Sequence, residues 1–303
     1  MKDEKKSDVL MAPLMAGNNK KNLNTVTVVG VGLISGSFAL ALKEKNLAKH
    51  IIGVSRTEAS AKKALELGLI DEILPLKEAV LKSDLIYLAI PVDATIPVIQ
   101  QIMDLINDKQ IVADAGSTKF ALSKAIENHP LRKRFVSTHP MWGTEYSGPE
   151  AAVRGAFVGR ACVICDKERS DEEAVKTIEN IYRMFGMNIV YMDSESHDIH
   201  AAYVSHISHI TSFALANTVL EKEKEEEAIF ELSGGGFEST VRLAKSAASM
   251  WVPVFMQNRE NVLDVLNEHI SQLKKFKASL EKENVGLLTE LIENANKIKR
   301  IIK

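Results

Sequence analysis

Cysteine is scarce in this chain, because its 303 residues contain only two, Cys162 and Cys165. Two cysteines are too few for the disulfide framework of a small secreted protein. They lie in the run GRACVICD, which is typical of a strand and not of the helix start that carries a redox-active C-x-x-C pair. On a strand, an offset of three places the two side chains on opposite faces. We therefore predict structural thiols, no disulfide and a cytoplasmic location.

Long apolar runs and an excess of charge of one sign are also missing. No apolar stretch approaches the ~20 residues of a membrane-spanning helix, and the formal net charge is −2. The sequence therefore gives no reason to expect a membrane or a nucleic acid as partner. We expect residues 1–24, in which a short apolar patch contains Pro13, to form a flexible polar tail and not a signal peptide.

The chain does contain a regular alternation of two patterns. From residue 25, short runs rich in β-branched residues alternate with stretches of helical periodicity, which predicts a mostly parallel, doubly wound sheet. After residue 192 only helical patterns continue. We predict an α/β domain over 25–192 and an all-α domain over 193–303. The predicted strands are 25–30, 50–55, 83–91, 110–116, the segment that ends at His139, 160–165 and 187–192.

A glycine motif joins the first predicted strand to the first helix, in VVGVGLISGS. Gly30 and Gly32 occupy the first two positions of G-x-G-x-x-G, where a tight turn and a bare backbone let a pyrophosphate approach the helix N-terminus. Ser35 stands at the third position, which needs only a small residue. The placement between strand and helix favours a Rossmann-type dinucleotide-binding domain, with Leu33 and Ile34 also at the cofactor.

The end of the second predicted strand bears on which dinucleotide binds. An NAD-specific site has an acidic residue there for the ribose 2′-hydroxyl, whereas this strand ends in Ser55 and Arg56. An arginine at this place can pair with a 2′-phosphate, which favours NADP over NAD. The alternative is a surface arginine and an NAD held through hydroxyl and backbone groups. Pro91, after the third strand, completes the predicted cofactor-binding residues.

Four histidines lie in SHDIHAAYVSHISHITSFALAN, over residues 196–217. On a helix with 100° per residue they do not share a face, and no H-E-x-x-H motif occurs, so we predict no metal site. One face instead combines small and polar residues with a single histidine, which suits a ligand as well as a packed helix. That face consists of Asp198, Ala202, Ser205, His209 and Ser212.

The stretch RFVSTHPMWGTEYSG, residues 134–148, ends a predicted strand with His139 and Pro140. The carboxyl ends of parallel strands are where ligands bind in such sheets, and a histidine with a pKa near neutrality suits a general base. The alternative is a structural histidine at a strand end.

Five motifs together resemble the prephenate/arogenate dehydrogenase family of tyrosine biosynthesis, in order and over about residues 25–280. The resemblance implies a Rossmann-type domain, a helical domain that dimerises, and oxidative decarboxylation of prephenate to 4-hydroxyphenylpyruvate with hydride transfer to NAD(P). The motifs are GVGLISGS, DAGSTK (114–119), THPMWGTEYSG (138–148), HDIHAAYVSHISH (197–209) and FESTVRLAKSAASMW (237–251).

The resemblance also implies roles for single residues. His139 matches the catalytic histidine that accepts the hydroxyl proton of the substrate, and Ser117 matches a serine that hydrogen-bonds this histidine and the substrate. Arg242 matches the arginine that binds a substrate carboxylate, and His209 matches a histidine that contacts the substrate.

The remaining matches concern the rim of the site. Glu145 and Asp198 match acidic residues near its entrance, where they could pair with Arg242, and Ser205 is included with the substrate-binding residues. Trp251 is either a packing residue or a group that reaches the site of the partner subunit.

Three alternatives remain at the level of sequence. The first is arogenate dehydrogenase, with the same chemistry on an amino-bearing substrate. The second is a β-hydroxyacid or 6-phosphogluconate-type dehydrogenase, which would use a lysine such as Lys245 and leaves the His139 motif unused. The third is a non-catalytic NADP-binding protein.

Overall fold

The computed structural model describes residues 23–224 and 229–301. Its first half is an eight-stranded sheet with the order β3-β2-β1-β4-β5-β6-β7-β8. All neighbouring strands are parallel except β6 and β7. The predicted mostly parallel α/β sheet is therefore confirmed. The strands are β1 Leu23–Val29, β2 Ala48–Val54, β3 Glu72–Ile73, β4 Leu85–Leu88, β5 Ile111–Asp114, β6 Phe135–Pro140, β7 Ala161–Cys165 and β8 Asn188–Met192.

Helices connect these strands, and buried apolar side chains form two clusters in this half. In one cluster Phe38 stacks on Tyr87, and in the other Ile99 and Ile102 are completely buried. β4 is buried at every position, which is why its sequence is a continuous apolar run and not an alternating one. The helices are α1 Leu33–Glu44, α2 Glu58–Glu66, α3 Leu76–Lys82, α4 Val92–Leu105, α5 Phe120–Ala125 and α6 Glu172–Met184.

The second half of the described chain is helical, as predicted. A single wider π-helical turn, Ala202–His206, joins its first two helices. The helices are α7 Ser194–Ala201, α8 Ile207–Glu223, α9 Gly235–Val241, α10 Ala248–Gln257, α11 Arg259–Glu281 and α12 Val285–Asn296.

The helix α10 joins the two halves. Trp251 and Val254 of this helix form a small apolar cluster with Val92 at the start of α4. The side chain of Gln257 donates to the backbone oxygen of Val92 at 3.3 Å and accepts a hydrogen bond from Thr118, which follows β5. The helical half is thereby held against the edge of the sheet where the parallel strands end.

Two elements of the first half were not predicted, β3 and α3. The strand β3 has two residues and the helix α3 has seven, so neither is long enough to show a period in the sequence. The predicted tail, residues 1–24, lies outside the described residues except for Leu23 and Asn24, which begin β1.

Two expectations from composition can be compared with the structure. Cys162 and Cys165 are buried on β7 as free thiols, and burial raises the pKa of both. This agrees with their prediction as structural thiols. Among the described residues, no helix combines the length and the apolar character needed to cross a membrane.

Candidate active site

The turn between β1 and α1 is shaped for a phosphate group. Gly30 has a φ of +88°, and a Cβ there would lie 2.3 Å from the backbone oxygen of Ala89. A Cβ on Gly32 would meet nothing within 4 Å, so open space lies in front of the N-terminus of α1. The first turn of α1 carries no acidic residue. This turn therefore fits a dinucleotide pyrophosphate, and it lies where the strand order reverses between β1 and β4.

The third glycine of the motif is replaced without loss of close packing. Ser35 is completely buried, whereas a Cβ on Gly36 would lie 2.8 Å from Cβ of Ala152. Gly36, one position later, therefore allows a close approach between α1 and the segment that contains Ala152. Leu33 and Ile34 are partly exposed at the start of α1.

The predicted cofactor residues on the neighbouring strands lie at the same edge. Ser55 and Arg56 follow β2 directly, and Pro91 precedes the first residue of α4. Arg56 is exposed, and no hydrogen bond or ion pair holds it within 23–224 and 229–301. Its guanidinium is thus available to an anion at the end of β2.

His139 lies near the end of β6 and is almost completely buried. Its Nδ1 lies 2.8 Å from Nε2 of His197, and Nδ1 of His197 lies 2.8 Å from Oδ1 of Asp198. Asp198 in turn accepts backbone N–H groups of Lys119, at 2.7 Å, and Phe120, at 3.0 Å. Three buried side chains therefore form a continuous hydrogen-bonded series, and Nε2 is the nitrogen of His139 that remains for another partner.

Burial sets the protonation of His139. It lowers the pKa of this ring well below the usual value, and electrostatic interactions with His197, Lys119 and His206 lower the pKa further. The expectation of a pKa near neutrality is therefore wrong for the protein without ligand. The sequence could not show this, because the burial of His139 and its three neighbours from other segments of the chain arise only in the fold. A low pKa means that His139 is neutral, and able to accept a proton, at neutral pH.

A buried ion pair supports the strand ends next to His139. Lys119 and Asp114 are completely buried and paired, and Nζ of Lys119 also donates to the backbone oxygen of Thr138 at 2.8 Å. Asp114 further accepts the backbone N–H of Gly116 at 2.9 Å and that of Thr138 at 3.1 Å. These bonds tie the end of β5 to β6, so the backbone before His139 is fixed.

Arg242 and Glu145 come together from the two halves of the chain. Nη1 of Arg242 lies 3.3 Å from Oε2 of Glu145, with the arginine side chain about half exposed and the glutamate largely buried. The predicted pair between Arg242 and Glu145 is thus present. An ion pair whose arginine is half exposed to water is weak, so a carboxylate ligand can compete for the arginine.

His209 lies in the middle of the helical half. Its ring stacks on Trp251, with 3.4 Å between ring centroids, and its Nδ1 donates to the backbone oxygen of Ser205 at 3.1 Å. Burial lowers the pKa of His209, and the charge of Arg242 lowers it further. His209 therefore presents Nε2 as a hydrogen-bond acceptor in the neighbourhood of Arg242. Trp251 is buried against His209 of its own chain.

Two predicted contacts differ in the structure. Asp198 is not at the site entrance and does not pair with Arg242, because it is buried, 3% exposed, and holds His197 and the start of α5. Ser117 is half-buried after β5, but no hydrogen bond joins it to His139, whose Nδ1 is bound to His197.

The predicted shared face of residues 198–212 is interrupted by the π-helical turn Ala202–His206. This turn rotates less per residue than an α-helix, so a wheel with 100° per residue loses its phase there. Asp198 faces α5, whereas Ser212 donates to the backbone oxygen of Thr240. His197 was missed because its partner His139 lies on a distant strand. The signal that could have found it is the adjacent acidic residue in the pair His197-Asp198.

Comparison with known proteins agrees with this arrangement. The family model of the prephenate dehydrogenase nucleotide-binding domain matches residues 38–191, and that of the dimerization domain matches residues 193–294. The glycine turn precedes the first match, so its assignment depends on the geometry above.

Individual relatives cover most of the chain. It is 30% identical over 279 residues to a prephenate dehydrogenase of Bacillus subtilis, covering 90% of this chain and 74% of that protein. It is 26% identical over 280 residues to a cyclohexadienyl dehydrogenase of Zymomonas mobilis, covering 92% and 96%.

A solved structure is similar over both halves. It is a prephenate dehydrogenase from A. aeolicus in complex with hydroxyphenyl propionate and NAD+, with a TM-score of 0.83 and 31% identity. The match covers 92% of this chain and 97% of that one. With both family models matched in order, this chain belongs to the prephenate dehydrogenase family.

Proposed function

We propose that this protein oxidatively decarboxylates prephenate to 4-hydroxyphenylpyruvate. The observation that supports it most is His139, a buried neutral base at the carboxyl edge of a dinucleotide-binding sheet, whose Nε2 is free. Membership of the family makes prephenate the first substrate to consider.

The residues have distinct tasks in this reaction. The bound nicotinamide supplies a hydride acceptor for the ring carbon that carries the hydroxyl. His139 accepts the hydroxyl proton at Nε2, while the ring carboxylate leaves as CO₂ and the ring becomes aromatic. Arg242 binds a carboxylate of the substrate, and His209 contacts the substrate beside Arg242. Ser117, Ser205 and Trp251 line the substrate region.

We also propose NADP as the preferred cofactor and a homodimer as the assembly. Arg56, which is exposed after β2 and has no ion-pair partner among the described residues, supports the first proposal, since no acidic residue stands at that strand end. The match of residues 193–294 to a dimerization domain supports the second.

One assay tests the activity. Purified protein is incubated with prephenate or arogenate, each with NAD or NADP, and reduced nicotinamide is followed by absorbance. We expect turnover of prephenate, faster at low cofactor concentration with NADP. Turnover of arogenate alone would replace the proposed substrate by its amino analogue. Cofactor binding without turnover of either compound would mean that the protein is not an enzyme of this type.

A further inference from the structure

The hydrogen bonds behind His139 determine where its proton lies. Asp198 is the fixed end of the series, because its Oδ1 accepts the backbone N–H of Lys119 and its Oδ2 accepts that of Phe120. A carboxylate in this position can only accept. The contact of 2.8 Å between its Oδ1 and Nδ1 of His197 therefore requires the proton to be on that nitrogen.

The same reasoning continues along the series. With its proton on Nδ1, neutral His197 has a lone pair on Nε2. Its contact of 2.8 Å with Nδ1 of His139 then requires a proton on Nδ1 of His139. Neutral His139 is left with a lone pair on Nε2, which is the form that a proton acceptor needs.

We propose that His197 and Asp198 are positioning residues that hold His139 in the tautomer with Nδ1 protonated and Nε2 free. Neither residue touches the substrate. This inference extends the proposed function, in which His139 is the proton acceptor, but the tautomer is a property of the protein without substrate.

The arrangement has a second effect during the reaction. When Nε2 of His139 takes the hydroxyl proton, the O–H bond of the substrate breaks and the imidazole ring of His139 becomes positively charged. The bond from Nδ1–H to His197 then has a charged donor, and such bonds are roughly twice as strong as neutral ones. The carboxylate of Asp198 stabilises the same charge through His197, as the aspartate does in a Ser-His-Asp triad.

The helix that carries both residues is itself fixed. The side-chain amide of Asn258 donates to the backbone oxygen of Asp198 at 2.7 Å and lies 3.2 Å from Nδ1 of His206. His197 is 2% exposed and Asp198 is 3% exposed. The series is therefore shielded from water, which would otherwise compete for each hydrogen bond.

The tautomer can be measured directly by NMR on the full-length protein labelled with ¹⁵N-histidine. Long-range proton–nitrogen correlations distinguish a protonated ring nitrogen from an unprotonated one, and the His139→Asn variant identifies the signals of His139. We expect Nδ1 protonated and Nε2 unprotonated. A proton on Nε2, or averaging between both forms, would overturn the proposal. If His197 were doubly protonated, its Nε2 would donate to Nδ1 of His139, and the proton of neutral His139 would lie on Nε2.

Variants of His197 test the positioning role in turnover. His197→Leu removes the acceptor, so we expect kcat to fall by about 10- to 100-fold, the loss that is typical when a group orienting a metal-bound histidine is removed, with little change in KM. His197→Gln retains an oxygen that can accept from Nδ1 and should recover part of kcat. His200→Leu, on the exposed side of the same helix, is the matched control.

The outcomes separate this inference from the proposed function. If the wild-type protein shows the expected tautomer but turns over neither prephenate nor arogenate, the proposed function fails and the positioning role of His197 stands. If it turns over prephenate while His197→Leu keeps both wild-type kcat and the wild-type tautomer, the positioning role is refuted. If His197→Leu does not fold, the wild-type spectrum alone decides.

Discussion

The surroundings of His139 differ strongly from those of an exposed histidine. Its pKa is lowered by burial and nearby positive charge, so the neutral base is present at neutral pH and is lost only as the pH falls through this lowered pKa. We therefore expect kcat of the wild-type protein to be constant from neutral pH upward and to decrease in acid. The pH profile of kcat measures this directly.

The variant His139→Asn shows whether that ionisation belongs to His139. Loss of a general base typically reduces the rate by a factor of the order of 10²–10⁴, so kcat should fall by this amount with little change in KM. The acid limb of the profile should disappear as well. A near-normal kcat, or an unchanged acid limb, would assign His139 to the structure of the strand end.

Substitution of Arg242 should change the kinetics in a different way from substitution of His139. It binds a substrate carboxylate before and during the reaction, so its loss removes binding that ground state and transition state share. Arg242→Gln should mainly raise KM in steady-state kinetics. Lys245→Gln, three residues later and also exposed, is the matched control. A large loss of kcat in the lysine variant would favour the alternative dehydrogenase class that uses a lysine.

Arg56 tests the cofactor preference. Its guanidinium can pair with a 2′-phosphate that NAD lacks, so Arg56→Ala should weaken the binding of NADP far more than that of NAD. Titrations with both cofactors measure the two dissociation constants. Lys62→Ala, which removes an exposed charge on α2, is the control. Equal losses for both cofactors, or a wild-type protein that prefers NAD, would contradict a phosphate contact.

At the scale of elements, two glycines of the same turn should have separable effects. Gly30→Ala places a Cβ 2.3 Å from a backbone oxygen at a φ of +88°, and a residue strained in this way typically costs about 1–3 kcal/mol, before the clash is added. We expect a large loss of thermal stability.

Gly32→Ala meets nothing within 4 Å and has a φ of −88°, so the fold should be unaffected. Its methyl group occupies the space that the pyrophosphate needs, and cofactor affinity should fall. Thermal unfolding and a cofactor titration on both variants provide the comparison. Normal cofactor affinity in Gly32→Ala would place the pyrophosphate elsewhere.

The elements that sequence predicts well are those whose pattern is local. The run 83–91 is apolar because β4 is buried on both faces, and the glycine turn shows in sequence because Gly30 needs a positive φ. Burial on both faces and a positive φ each restrict the residue type at a single position, so both can be recognised in the sequence. The strand β3 could not be predicted, because a strand of two residues is too short to show an alternating pattern.

The elements that sequence predicts badly depend on geometry between distant segments. The π-helical turn at Ala202–His206 changes the phase of its helix, and the residues that favour it show no distinct pattern. The role of Asp198 depends on α5, whose backbone N–H groups lie about eighty positions earlier in the chain. No periodicity of the sequence encodes such a contact. His197 therefore became visible only in the structure.

At the scale of the whole molecule, the two halves bury their apolar residues to different extents. The strands of the first half are largely covered by helices, whereas α12 has no buried residue and α11 buries only Val262, Val265 and Ser279. Large apolar side chains remain exposed on these helices, among them Leu273, Leu280, Val285 and Ile292. Large apolar side chains left exposed along neighbouring helices are typical of a protein–protein interface.

We expect this surface to be covered by a second copy of the chain, since residues 193–294 match a dimerization domain. Light scattering should give a mass of twice 33.4 kDa for the wild-type protein. Leu273→Glu places a charge in an apolar contact and should shift the mass toward the monomer as the protein is diluted. Leu81→Glu, at an equally exposed leucine of α3 in the first half, should leave the dimer intact, because that helix lies outside the matched region. A stable wild-type monomer with full activity would contradict the homodimer, and dissociation by both variants would show that the effect of Leu273→Glu is not specific to the helical half.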